Sequence, residues 1–458
     1  MLTQTAGNYT TTFEYNVMNL PVRKIDHGGR TEVDGIYVDA KTESYKYYSN
    51  GLLEEKKDRN GAITKYFYDC QGQLTDQIVD KEIIHYEYDG NGNKTVSQTG
   101  IGNVSADGNS VIVTEVKNTT IREYDELNRV RTKNEVVNGI DLGTFVYQYD
   151  IITGLDIDGH VAEKTTDPKM NVTTKEYDKT GRLYKVDFTV YDYYHNGSTK
   201  SVTYPSGSKE EYIYYRNNLL KTLTNTVSDV EIDKYEYEYD DANNQTEKTE
   251  RIKGDEKGTT IYTYDELNRL KTVAEPSQLG GKLTEYTYDA QGNRNTEEVS
   301  LNGVTVYYTD YTYNEQNRLT DIVTTMGDVT ENVSYYYDNN GNMYSKSKET
   351  ISPIDDGEAL TGIGVAGEET ANDVEVSFYT HDGFNQLIEI FEGGKTITNT
   401  YNGEGLRTSK TVDGDTTIYL YEYDKPVLEL DGNGDKLARN VYGTNLISRI
   451  VYTKEYST

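Results

Sequence analysis

Carboxylates and phenols dominate the chemistry available to this chain: 77 Asp and Glu and 45 Tyr in 458 residues, against 5 His and 1 Cys. Glu210-Glu211 and Asp240-Asp241 are adjacent acids of the kind that paired-carboxylate glycoside hydrolysis uses. In so acidic a chain such pairs arise by chance, and no base, nucleophile and orienting group converge with them in the sequence. No catalytic residue is assigned, and the chain reads as a non-enzyme. Asp89-Gly90-Asn91-Gly92-Asn93 and Asp431-Gly432-Asn433-Gly434-Asp435 are similar to calcium loops but lack the Gly at position six and the distal Glu in register. Turn chemistry accounts for them better. His27, His85, His160, His195 and His381 show no zinc spacing, and Cys70, alone, excludes an intramolecular disulfide. No cofactor or metal is expected. The tyrosine clusters at 191–194 and 335–337 put rings on both faces of a strand. This makes Tyr191, Tyr193, Tyr335 and Tyr337 candidate ligand-facing aromatics for a glycan or a cell-surface protein.

Those tyrosines belong to a pattern that recurs seventeen times: a short aromatic strand, then an acid or polar residue and a tight turn. Taking the acid position as the slot, copies fall at Asn16, Tyr48, Asp69, Asp89, Asp125, Asp150, Asp178, Tyr194, Tyr215, Asp240, Asp265, Asp289, Asn314, Asp338, Asp382, Asn402 and Asp424. In most copies Gly or Asn follows three residues later, as a positive φ requires. From Tyr194 to Asp338 the intervals are 21, 25, 25, 24, 25 and 24 residues, a period typical of repeat arrays. Alternation in Tyr262-Thr263-Tyr264 places both rings on one face of a strand, so each unit is an antiparallel hairpin. Isolated hairpins are marginal in water, and the units must therefore pair edge to edge, aligning tyrosines in ladders.

The expected fold is all-β, an array of antiparallel hairpins forming a continuous spiral sheet, incomplete or open, with almost no helix. One array over 1–458 is expected, with repeats over about 13–452, inserted loops near 100–110 and 352–373, and no separate catalytic domain. A second turn signal, as at Asp58-Arg59-Asn60-Gly61, marks the other end of a hairpin. The net charge of −31 repels nucleic acid and anionic membrane. No window has the roughly 20 apolar residues that span a bilayer, and no signal peptide is visible at the start.

The motif Tyr-x-Tyr-Asp-x-x-Gly-Arg-Leu, as in Tyr177-Asp178-Lys179-Thr180-Gly181-Arg182-Leu183, resembles the YD repeat of Rhs proteins. It is similar to the repeats of insecticidal toxin-complex B and C proteins and of teneurin YD shells. Tyr419 to Asp424, Leu428 to Gly434 and Val441-Tyr442-Gly443 resemble the stretch upstream of the Rhs-associated core. The resemblance implies a hollow shell that encloses a C-terminal toxin or other cargo, in a secreted or cell-surface protein, as part of a longer polypeptide. It does not carry over self-cleavage or toxicity, because the Asp-Pro-x-Gly signature is absent and Asp167-Pro168-Lys169-Met170 lacks its Gly. About 34 strands at roughly 4.8 Å each would make a strip about 160 Å long, enough for a ring roughly 50 Å across. The alternative expectation is an adhesion or carbohydrate-binding module using tyrosine-rich outer faces.

Overall fold

The computed structural model describes residues 2–6, 9–26, 32–33, 36–37, 41–152, 161–353 and 370–452. They form strands joined by short turns, with a single 3₁₀ turn at Ser277–Leu279 and only antiparallel pairings. The expected all-β hairpin array is therefore present. The chain divides into two compact units: residues Met1–Asp187, Tyr337–Tyr344 and Ser377–Thr458 in one, Phe188–Tyr336 and Ser345–Val376 in the other.

In the second unit one hairpin shows the construction. Strand Asp255–Tyr264 pairs with Leu270–Ala274 so that Tyr264 faces Leu270 across the five-residue loop 265–269. The same closure recurs at Tyr239 with Gln245 and Tyr288 with Arg294. Opposite ends of the hairpins turn on two residues, as at Asn302-Gly303 and Ser228-Asp229, where φ is positive at both positions and the backbone matches the strand twist. Tyr262, Tyr264, Tyr286, Tyr288, Tyr311 and Tyr313 are half-buried on one face, while Thr263, Thr287 and Thr312 between them are exposed. On the exposed face the threonines pair across strands, Thr263 with Thr272 and Thr287 with Thr296, each at 2.7 Å.

In the first unit two rows cover each other, the tyrosine face of 137–147 meeting the opposite face of 415–431. Strands Asp415–Glu422 and Lys425–Asp431 bring Ile418, Leu420, Leu428 and Leu430 against Val137, Leu142 and Phe145. Polar contacts run along the two rows in nearly the same order, between residues 247 to 317 apart in sequence. Gly383 donates to Glu82, Tyr86 to the carbonyl of Gly403, Lys133 to that of Tyr421, and Lys175 to Glu422. At another point two turns clasp reciprocally. The Arg59 amide donates to Asn340 Oδ1 at 3.0 Å and Asn340 Nδ2 to Asp58 Oδ2 at 2.7 Å, while Asn60 Nδ2 donates to Asp338 and the Asn339 amide to Asn60.

Three expectations need correction. Asp150 lies inside the strand Ile140–Ile152 at a bulge, and Tyr423-Asp424 is a two-residue hairpin turn, so neither is a copy of the five-residue turn. The same turn does form at Asp58, Asp167, Tyr204 and Asp431. Nor is the stretch from 100 a loop: strands Lys94–Val104 and Val111–Tyr124 extend the hairpin, leaving only 105–110 as its tip. That extension lays Val104, Val111 and Val113 over Phe67, Ile78 and Ile83. Gly100 permits it, since a Cβ there would sit 2.0 Å from the Glu115 carbonyl oxygen. Of the second expected insertion, 354–369 lies outside the described residues, as do His27 and His160.

Candidate functional site

The repeated motif is the feature that recurs in both units, and its atoms explain why each residue type is present. In the turn at Asp265, Oδ1 accepts the amides of Leu267 and Arg269, both at 2.9 Å. The backbone closes with Asp265 N–H to the Arg269 carbonyl and Asn268 N–H to the Asp265 carbonyl. Asn268 sits at φ 59°, a conformation Asn tolerates better than most residues. Oδ2 takes the side chain four residues on: Arg269 Nε at 2.7 Å here, Arg129 and Arg182 likewise, or Asn93, Asn244 and Asn293.

From the turn the motif reaches the neighbouring repeat. The tyrosine that precedes the slot donates its hydroxyl to a main-chain carbonyl five residues after the preceding slot. Tyr88 bonds Leu74, Tyr124 Lys94, Tyr239 Leu220, Tyr264 Gln245, Tyr288 Leu270 and Tyr401 Leu387, at 2.7–2.9 Å. Arg269, held by Asp265, stacks at 4.6 Å over the ring of Tyr288 in the next repeat, and Arg129 stacks over Tyr149 at 4.4 Å. The positive-φ asparagines also bridge repeats: Asn244 donates to Asn268 at 2.9 Å and Asn293 to Asn317 at 3.2 Å. Tyr, Asp, Asn and Arg are thus parts of one coupling device, linking each turn to the next hairpin.

Where tyrosine occupies the slot, the device is redistributed. Tyr48, Tyr194 and Tyr215 reach forward to the carbonyls of Tyr66, Tyr212 and Tyr237. Each also meets a following tyrosine edge-on at 6.1 Å. Capping then passes to Asn50, Asn196 and Asn217, two residues later, whose oxygens accept the amides of Leu52, Ser198 and Leu219.

Hydrogen bonds to the ionised carboxylate hold Asp265 and Asp240 below their ordinary value of 3.8, chiefly the Arg269 amide for Asp265 and the Asn244 side chain for Asp240. A depressed folded value stabilises above pH 3.8 and loses that contribution as pH falls through it. Asp382 is opposite: burial first, with Glu82 nearby adding to it, raises it to about 6 despite two amide bonds. Its ionisation opposes folding as pH rises from about 4 to 6. Asp382→Asn is expected to raise the denaturation midpoint at pH 7.5 and to change it little at pH 4, since Asn402 and Asn314 fill the same slot. Urea titrations at the two pH values measure this. Asp265→Ala, which orphans two turn amides, is expected to loosen that turn, measured as faster amide exchange at 262–272.

The candidate ligand-facing tyrosines occupy different environments. Tyr191 is 3% exposed, and Tyr193, Tyr335 and Tyr337 are half-buried. Tyr335 and Tyr337 continue the row of Tyr286 and Tyr288 and of Tyr311 and Tyr313. The exposed ring of that cluster is Tyr336, 46% exposed, at the position that Thr263, Thr287 and Thr312 hold in sister strands. Among the described residues, no group of three or more His, Cys, Asp or Glu is placed to hold a metal, and no helix is long and apolar enough to cross a membrane.

Hairpins coupled by this device define a structural repeat array. Residues 61–349 match the teneurin YD-shell family, more than half of the chain, and the chain belongs to that family. Its role is structural, that of a shell. No relative is found among curated proteins. Among solved structures, the chain is similar to TcdB2-TccC3 without the hypervariable C-terminal region, at 12% identity and a TM-score of 0.41, over 97% of this chain and 31% of that one. TcdB2-TccC3 itself gives 13% identity and a TM-score of 0.35, over 98% of this chain and 29% of that one. The chain spans less than a third of those chains, and likeness at these scores adds nothing to the family match.

Proposed function

We propose that this chain is wall material of an Rhs-type polymorphic toxin or surface protein, forming part of a chamber around a cargo or toxin domain. The observation that carries the reading is the coupling of successive hairpins: the motif's recurring chemistry goes into joining neighbours. A wall acts by confinement, excluding proteases from what it surrounds, and needs no catalytic group. Its setting would be secreted or cell-surface, as part of a longer polypeptide. Electron microscopy of the purified chain tests this. Curved walls around an empty interior support it, and a filled rod overturns it.

A second reading, adhesion or glycan binding, is favoured by the exposure of Tyr336 between Tyr335 and Tyr337. It expects binding on a glycan array that falls when Tyr336 is changed to Ala. Absence of binding by the unaltered chain removes it.

A further inference from the structure

The first unit holds a cavity of about 240 Å³ between the strands around Glu82 and Asn118 and those around Asp382 and Asn399. This is small for a drug-sized ligand. Its wall is unbalanced in hydrogen-bonding terms. Asn118 and Asn399 are 4% and 6% exposed. Each commits its side-chain N–H₂ to a carbonyl, Asn118 to Tyr401 and Asn399 to Leu387. Neither amide oxygen has a partner among the described residues, and an unmade buried acceptor is costly. Two carboxylates join them: Glu82 Oε2 accepts the Gly383 amide at 2.8 Å, and Asp382 Oδ1 accepts the amides of Phe384 and Gln386. Each carboxylate thus keeps a second oxygen to offer. Lys117 is the one cationic side chain of the lining, and Ile84 and Phe384 supply apolar surface.

Two buried amide oxygens lack donors, two carboxylates face one ammonium, and part of the wall is apolar. We infer that this cavity binds a primary ammonium group on a short alkyl chain, as a free amine or as a lysine side chain. The ammonium brings three donors to the two buried amide oxygens that have none and a positive charge to a lining where two carboxylates face one lysine, and the alkyl chain covers the apolar wall. Size limits the ligand to a handful of heavy atoms.

Isothermal titration of the full chain with putrescine and, separately, with N-acetyl-lysine methylamide tests the assignment, with n-butanol and butyrate as uncharged and anionic controls. Saturable binding of either amine, absent for both controls, is expected. Tighter putrescine binding points to a free amine, and tighter binding of the lysine derivative to a protein side chain. Glu82→Gln and Asp382→Asn keep the acceptors of the turn amides while removing charge. Each is expected to weaken binding about tenfold or more in a protein whose circular dichroism is unchanged. No saturable binding of either amine overturns the inference and leaves the oxygens to water. So does amine binding that survives in the doubly substituted protein.

Discussion

Phe145→Ala is expected to destabilise the first unit by about 3–5 kcal/mol, the usual cost of deleting a large buried ring. Phe145 is fully buried, with Val137 and Leu142 on its own side and Ile418, Leu420, Leu428 and Leu430 facing it. It also stacks on Tyr147 at 6.3 Å. The cavity left behind would lie between two rows of hairpins far apart in sequence, so the loss should loosen their docking rather than either row's own pairing. Amide exchange should therefore accelerate together in 137–145 and 415–431 while the repeats of 230–313 keep their protection. Equal loosening across the whole chain would show that these layers are not a separable pack.

Lys133→Met should be of similar size, for an electrostatic reason. Lys133 and Glu135 are 7% and 3% exposed, their charges 2.5 Å apart. The ammonium also donates to the Tyr421 carbonyl at 2.8 Å and lies 5.4 Å from the Phe145 ring centre. The Glu135 oxygens have no hydrogen-bond donor of good geometry among the described residues, so the lysine is what answers their charge. Removing one partner of a buried pair costs about 3–5 kcal/mol, because the other charge stays buried. Replacing both, Lys133→Met with Glu135→Leu, should restore most of that loss. Urea denaturation of the single and double variants reads the difference, and a double variant no better than Lys133→Met would contradict the argument.

Much of this was legible in the residues, because period-two tyrosines and positive-φ turns are local physics. The two false copies, Asp150 and Asp424, carried a warning: three residues later stand Thr153 and Val427, where true turns hold Gly or Asn. Tyr204 and Asp167 open true turns that the aromatic-then-acid pattern does not mark, Tyr204 despite Gly207 three residues on. Pro205 and Pro168 disguise the turns they open, and Met170 takes a φ of 63° with no glycine to announce it. Tyr421, two residues before the expected position, makes the inter-repeat tie to Arg407, which leaves Tyr423 free to turn and 75% exposed.

Less legible was the docking of the C-terminal hairpins, since it depends on contacts hundreds of residues apart. Two signals existed. The alternation Ile418, Leu420 and Leu428, Leu430 puts aliphatic residues where other repeats carry threonine or charge. Glycine also follows the slot at Gly383 and Gly403, where a Cβ would lie 2.6 Å from Val79 and 2.2 Å from Ser97. The candidate ligand-facing tyrosines misled because a ring's usefulness to a ligand depends on which face is covered. Tyr191 and Tyr86 share a slot with the half-buried Tyr286 and are themselves 3% and 7% exposed.

The central claim is that the motif couples one hairpin to the next, and Tyr288→Phe isolates that coupling. The substitution keeps the ring under Arg269 and removes only the hydroxyl bond to Leu270, worth about 1 kcal/mol. Hydrogen exchange of the purified chain should then show lost protection in the preceding repeat, at 270–274, as well as in 282–288. Exchange that changes only within 282–301, the variant's own hairpin, would contradict the account.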